Sequence, residues 1–280
     1  MKTEIIYDMA ETAYRVMPAL SQTTLKVYGK TPAHGRAYEL GLLKVESSAF
    51  DFGKVVHSAV LERDKYLETC VVAPEMMPDA KGVMKPTNGN MTSYKEWVKG
   101  CAGKTIVTKE ETDAIKVILE NIQNHPVTKS LFENGKSEVS AFASMDDVDC
   151  RARFDFVPES EADRFCLVDV KTCERADKDS FQRSIIDYGY HIQAAFYLWM
   201  SEAVGLDRGQ FTFVCIEKTP PYAIAVYTLD NDSLLLGQRK VRELLSVYRE
   251  CAKNQNWPAY SEDVQEIGVP DWVKKMEGLQ

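Results

Sequence analysis

From Ser137 to Thr172 apolar and polar residues alternate with a period of two. The segments SEVSAFASM, DCRARFDFVP and RFCLVDVKT read as three consecutive strands, because successive strand side chains point to opposite faces. QFTFVCIEKTPPYAIAVYTL reads as two further strands joined at Thr219-Pro220-Pro221. Elsewhere the period is helical. The first forty-odd residues read as helix, turn, helix, with Ser21 as an N-cap and Pro32 opening the second helix. Phe52, Val56, Ala59, Val60 and Tyr66 follow a helical period, capped by Ser47 or Ser48. TKEETDAIKVILENIQNHP is a capped amphipathic helix ending near His125-Pro126. DKDSFQRSIIDYGYHIQAAFYLWMSEAVG is helical with a break near Gly189, and a last helix runs from about Asn231 to Lys253. Residues 74–104 are rich in Pro, Gly, Asn, Met and Lys and read as a long loop with one short helix around Ser93 to Lys99.

Strands bracketed by long helices predict an α/β fold, a central mixed β-sheet flanked by helices, with an N-terminal helical elaboration. We expect one domain over 1–280: a helical part at 1–73, the loop at 74–104, the core at 105–257 and a tail at 258–280. The 280 residues suffice for one sizeable core. No run reaches the roughly 18 apolar residues of a membrane span. The first twenty residues carry acidic side chains where a signal peptide needs an apolar stretch. The expectation is a cytoplasmic protein without a membrane partner. Seven scattered cysteines without a C-x-x-C imply reduced, mostly buried thiols. The formal net charge of −8 argues against a nucleic-acid binder, unless a basic strip is concentrated locally. Lys26, Lys30, His34, Arg36 and Lys44 form such a strip.

FCLVDVKTCERAD places Asp169 and Lys171 two apart, on the face opposite Val168 and Val170. An edge strand with a solvated ion pair is the plain reading. Asp155 makes a sharper one available. It ends the preceding strand, and a hairpin sets it beside Asp169. Two adjacent carboxylates raise each other's pKa unless a cation lies between them. Oxygen ligands of this type suit Mg²⁺, with Mn²⁺ as a substitute. A lysine on the same face can then orient water or stabilise a phosphoryl oxygen.

Asp, a gap, then Asp-x-Lys is the pattern of the PD-(D/E)XK nucleases. Gln193 and Tyr197 resemble the Q-x-x-x-Y element of their RecB-like branch. Glu138 stands where that branch carries an acidic residue, and His57 on an early helix is similar to its helical histidine. The ordered segments SQTTLK, TPAHGR, GKVVHSAVLE, VAPE, GKTIVTKEE, SEVSAF, CRARFD, VDVKT and YGYHIQAAFY resemble the RecE-like, phage-type exonucleases from about Ser21 to Trp257. The first motif here is Phe154-Asp155, without the proline of the superfamily name.

The resemblance implies a restriction-endonuclease-like core. It further implies Mg²⁺ on Asp155, Asp169, His57 and the Val170 carbonyl, with Lys171 assisting the attacking water. Gln193 and Tyr197 would orient Lys171 or meet the DNA backbone. Glu138 would support the metal or pair with Arg151 or Arg153. Lys26, Lys30, His34 and Arg36 would track phosphates. The implied activity is 5′→3′ digestion of linear double-stranded DNA, leaving 3′ overhangs for recombination. Implied partners are duplex ends, a single-strand annealing protein of phage type and further copies in a ring. No iron–sulfur cluster is expected, since only Cys251 lies in the final stretch. Rival readings are a PD-(D/E)XK endonuclease, a single-strand-specific exonuclease, a non-catalytic DNA-end-binding module and a small-molecule phosphoesterase.

Overall fold

A computed structural model describes residues 2–43, 52–159 and 165–278. The N-terminal part holds β1 (Glu4–Ile6), α1 (Glu11–Val16), α2 (Gln22–Tyr28), α3 (Pro32–Glu39), α4 (Phe52–Leu61) and α5 (Arg63–Thr69). Ser21 caps α2 by accepting from the Thr24 N–H, and Pro32 opens α3 behind the Thr31 cap. The caps expected at Ser47 or Ser48, and Lys44 of the basic strip, lie outside the described residues. The single helix expected from Phe52 through Tyr66 is two, α4 and α5, divided at Glu62.

Residues 70–107 are more ordered than the expected loop. β2 (Cys70–Val72) pairs in parallel with β5 (Thr105–Val107). Between them stand the hairpin β3 (Met76–Pro78) and β4 (Met84–Pro86) and the helix α6 (Thr92–Gly100). α7 (Lys109–Asn124) opens on a complete capping box of Thr108 and Glu111, and α8 (Pro126–Leu131) follows His125.

The core strands are β6 (Gly135–Met145), β7 (Val148–Pro158) and β8 (Cys166–Cys173), then β9 (Gln210–Glu217) and β10 (Ile224–Thr228). α9 (Lys178–Asp187) and α10 (Tyr190–Ala203) lie between β8 and β9, and α11 (Asn231–Asn254) and α12 (Asp271–Met276) close the chain. The sheet order is β1-β6-β7-β8-β9-β10. Only β8 and β9 run parallel; the other neighbours are antiparallel, so the sheet is mixed as expected. The missed β1 adds an edge strand; three residues carry too little alternation to register.

Period two sorts the strands between two cores. Leu167, Phe211, Phe213 and Cys215 pack under α2, α10 and α11. Val168, Val170, Val214 and Ile216 pack under α4 and α7. β8 is therefore central, and Asp169, only 1% exposed, is buried. That removes the edge-strand reading of Asp169 and Lys171. No described helix is long and apolar enough to cross a membrane.

The helix break falls at Gly189, whose φ of +62° is the left-handed conformation that glycine adopts freely. α10 and α11 cross closely enough that a Cβ on Gly237 would run into the His191 carbonyl oxygen. In an open helix Gly→Ala stabilises by about 1 kcal/mol. Here the sign reverses. Gly237→Ala is expected to lower stability by roughly 1–3 kcal/mol. Gly100→Ala, with nothing within 4 Å of its Cβ, is expected to leave stability unchanged or raise it. Denaturant unfolding of both variants checks this, and equal midpoints would refute the close crossing.

Candidate active site

β8 and β7 bring the two aspartates together by an imperfect pairing. They register only at Phe156↔Val168, which sets Asp155 opposite Asp169. Phe154 and Phe156 pack into opposite cores, so β7 changes its facing at Asp155. The Val170 N–H donates to Asp155 Oδ2 at 2.9 Å, in place of a ladder bond. On the other flank Glu138 continues the register toward Asp155, with its backbone at φ +52°. A left-handed glutamate inside a strand is strained, and such strain gathers at functional sites.

α4 carries His57 over this point. Its Nε2 lies 2.9 Å from Asp155 Oδ2, and its Nδ1 3.4 Å from Glu138 Oε1. Burial opposes the imidazolium, but Asp155, Glu138 and Asp169 outweigh it and raise the His57 pKa to about 9. Burial pushes the Asp155 carboxyl up, yet His57, Lys171 and the Val170 N–H hold it below its usual range. Asp169 goes the other way. Burial and the Asp155 charge raise it to about 6, against the pull of Lys171 and His57. Burial and Asp155 also raise Glu138, which Arg153 and His57 counter.

Lys171 Nζ stands 2.6 Å from Asp169 Oδ2 and 4.9 Å from the centre of the Tyr190 ring. Burial disfavours its charge, but Asp169 and Asp155 prevail and its pKa rises. Gln193 Nε2 donates to Asp169 Oδ1 at 2.6 Å, so Gln193 orients the aspartate that pairs with Lys171. Tyr197 lines the same cleft, its ring edge-on to Phe154 at 5.4 Å. Glu138 forms the expected pair with Arg153. Arg151 instead donates to the Tyr14, Arg15 and Met17 carbonyls.

The basic strip divides. Lys26 turns toward the site and donates to the Tyr188 carbonyl at 3.0 Å; burial and the neighbouring Lys171 lower its pKa to about 8. His34 sits 2.7 Å from Thr31 Oγ1. Arg36 pairs with Glu39 and covers Trp257. Lys30 is exposed. Sequence reasoning missed Tyr14, Tyr190 and the cleft role of Arg153. The alternation of CRARFD does place Arg151, Arg153 and Asp155 on one face, and all three line the cleft.

That cleft has a volume of about 1010 Å³ and is open to solvent along one side. Six Lys and Arg side chains line it against four carboxylates, with Asp169 a fifth beneath Lys171, so the cleft is near balance and slightly basic in a chain of net charge −8. At its floor the donor chemistry fits a hard divalent cation. Asp169 Oδ2 is buried and meets Lys171 Nζ at 2.6 Å. One buried carboxylate, one half-buried carboxylate and an imidazole converge there. They are drawn onto one another, however, and among the described residues no three His, Cys, Asp or Glu side chains are already spaced as a ligand cage. The fit lies in the donors and their charge, with Asp155 and Asp169 as the holders and His57 within reach.

A search among curated proteins found no match. Among solved structures, the chain is similar to the "Putative exonuclease" of Eubacterium rectale, with 14% identity, 97% of this chain and 98% of the other covered, and a TM-score of 0.55. At that identity the likeness is one of fold. The phage related exonuclease of Haemophilus somnus 129PT matches at 16% identity over 60% of this chain and 86% of its own, with a TM-score of 0.34. Residues 21–268 match the model of the PDDEXK-like domain of unknown function (DUF3799), and the chain belongs to that family.

Proposed function

We propose that this protein is a metal-dependent exodeoxyribonuclease that digests linear duplex DNA 5′→3′ and leaves 3′ single strands. The observation that carries the reading is the buried Asp169 with half-buried Asp155 and Lys171 beside it, at the floor of a cleft faced by several Lys and Arg side chains. A binding module has no use for two adjacent, poorly hydrated carboxylates that must be held ionised at a cost. The family supports a PD-(D/E)XK nuclease, a class that generally uses divalent metals, and the Eubacterium rectale protein of like fold bears the name of an exonuclease. Polarity, duplex preference, a recombination role, an annealing partner and a ring of copies come from the RecE-like resemblance.

A divalent cation held by Asp155 and Asp169, with His57 and the Val170 carbonyl alongside, supplies Lewis acidity to the phosphate and acidifies a nearby water. The chain does the rest. Lys171, kept protonated by Asp169, donates to the attacking water or to the developing phosphoryl charge. The Tyr190 ring faces Lys171 Nζ, and Gln193 fixes the rotation of Asp169. Arg151 and Arg153 give the cleft wall the sign that attracts phosphates.

Lys171→Ala is expected to lower cleavage by at least about a hundredfold while duplex binding persists. Digestion of a linear duplex labelled at one end, with Mg²⁺ or EDTA and beside a closed circle, reads both rate and polarity. Early release of the 5′ label with the circle intact supports the proposal. Cutting of the circle identifies an endonuclease, and Lys171→Ala cutting at the normal rate refutes the site.

Melting of the protein with and without millimolar Mg²⁺ or Mn²⁺ tests the metal separately. His57 holds its proton more tightly folded than unfolded. In metal-free protein its contribution is complete below 6.5 and is lost as pH rises through about 9. Asp169 behaves alike: its contribution is complete below 3.8 and is lost through about 6. A cation competes with both protons. Its gain in Tm is therefore expected to be small at pH values below about 6 and to grow toward about 9. A gain independent of pH, or none with either metal, would count against this donor set.

A further inference from the structure

The excursion between β2 and β5 is an arm whose root lies at the rim of the cleft. β2 and β5 are adjacent parallel strands, so the chain leaves and returns at one place. Thr69, just before β2, and Thr105, which opens β5, both line the cleft. Within the arm, Ser93 Oγ donates to the Pro78 carbonyl at 2.7 Å, which ties α6 to the β3–β4 hairpin. Tyr94 stacks on Trp97 along α6, with ring centres 5.8 Å apart. The arm therefore has internal order and a fixed root.

Its charge is opposite to that of the chain. Residues 74–104 hold five lysines against Glu75, Asp79 and Glu96. Lys85 is taken up by Asp79 at 2.8 Å, and the Lys81 and Val83 N–H groups also donate to Asp79. Lys81, Lys95, Lys99 and Lys104 are exposed and form no ion pair with a described residue. Lys95 and Lys99 are four apart on α6, where like charges repel and the helix alone gains nothing from them. An anionic partner lying along the arm relieves that repulsion.

We infer that the arm of residues 74–104 is a docking surface for the phosphate backbone of duplex DNA leading into the cleft. This rests on the nuclease reading above and names the part of the protein that holds the substrate beyond the reacting phosphate. The cleft takes the strand end, and the arm lysines neutralise phosphates of the duplex behind it. Each phosphate neutralised steepens the salt dependence of binding, because condensed counterions are released.

The test is binding of a fluorescent duplex, in Ca²⁺ or EDTA, over a range of salt, for the wild type and for the combined Lys81→Ala, Lys95→Ala, Lys99→Ala variant. Wild-type digestion in Mg²⁺ is run in parallel. The expected result is affinity about tenfold weaker and a log–log salt slope shallower by roughly one for each lysine removed. Arginine at the same three positions is expected to restore both, which a purely structural role would not require. If the wild type digests duplex while the alanine variant binds it with unchanged affinity and slope, the arm is not the docking surface and the nuclease reading stands. If the variant loses binding and the wild type digests nothing, the docking surface stands and the nuclease reading falls. Wild-type protein that neither binds nor digests duplex overturns both.

Discussion

The structure is organised around the burial of two like charges at one point of the sheet. Asp155, half-buried, and Asp169, buried, face each other across β7 and β8 with little water to screen them. Such a pair is unfavourable unless cations and donors converge on it. Each neighbouring element supplies one. β8 gives Lys171 and the Val170 N–H, α4 gives His57, and α10 gives Gln193. The splayed β7–β8 pairing and the left-handed Glu138 are the backbone adjustments that let those groups meet.

The N-terminal helices follow from the same constraint. Arg151 and Arg153 project from β7 beside Asp155, and their guanidiniums need partners of their own. Arg153 takes Glu138 and the Met9 carbonyl, and Arg151 takes carbonyls of the α1 segment. Both lie over the Tyr14 ring. This draws α1 across the sheet and makes one wall of the cleft from a segment far away in sequence. The cations of the cleft in an acidic protein are thus gathered from α1, α4, α5, β7 and β8 by the packing of those elements. Net charge is a sum over the whole surface and is blind to it.

Burial also explains how the lysines divide. Burial disfavours the charge of Lys171 and Lys26 alike, but carboxylates surround Lys171 and it keeps its proton firmly, whereas the pKa of Lys26 is lowered by burial and then by Lys171 itself. Two ammonium groups a few residues from the same floor thus have different chemistry by placement alone. The arm lysines, out in solvent, act only as charges.

The periodic pattern of the chain determined the elements that carry the core. Eight to eleven residues of period-two character identify β6, β7 and β8, and the capping box, the glycine break and the Pro-Pro turn mark where helices and strands start or stop. These signals are local, so sequence expresses them fully. The same alternation put Asp169 and Lys171 on one face, and the family-like spacing gathered Asp155, His57, Gln193 and Glu138 into one site. Short elements such as β1, β2 and β5 carry too few residues to show a period, and they exist because neighbouring strands pair with them. Tertiary structure alone decided that β8 is central and so makes its ion pair a buried one. It also turned Gln193 to Asp169, set Tyr190 beside Lys171, tied His34 and Arg36 into local contacts, and folded residues 74–104 into an arm at the cleft. Those outcomes depend on which elements pack against one another, and the desolvation and charge that follow come from neighbours distant in the chain.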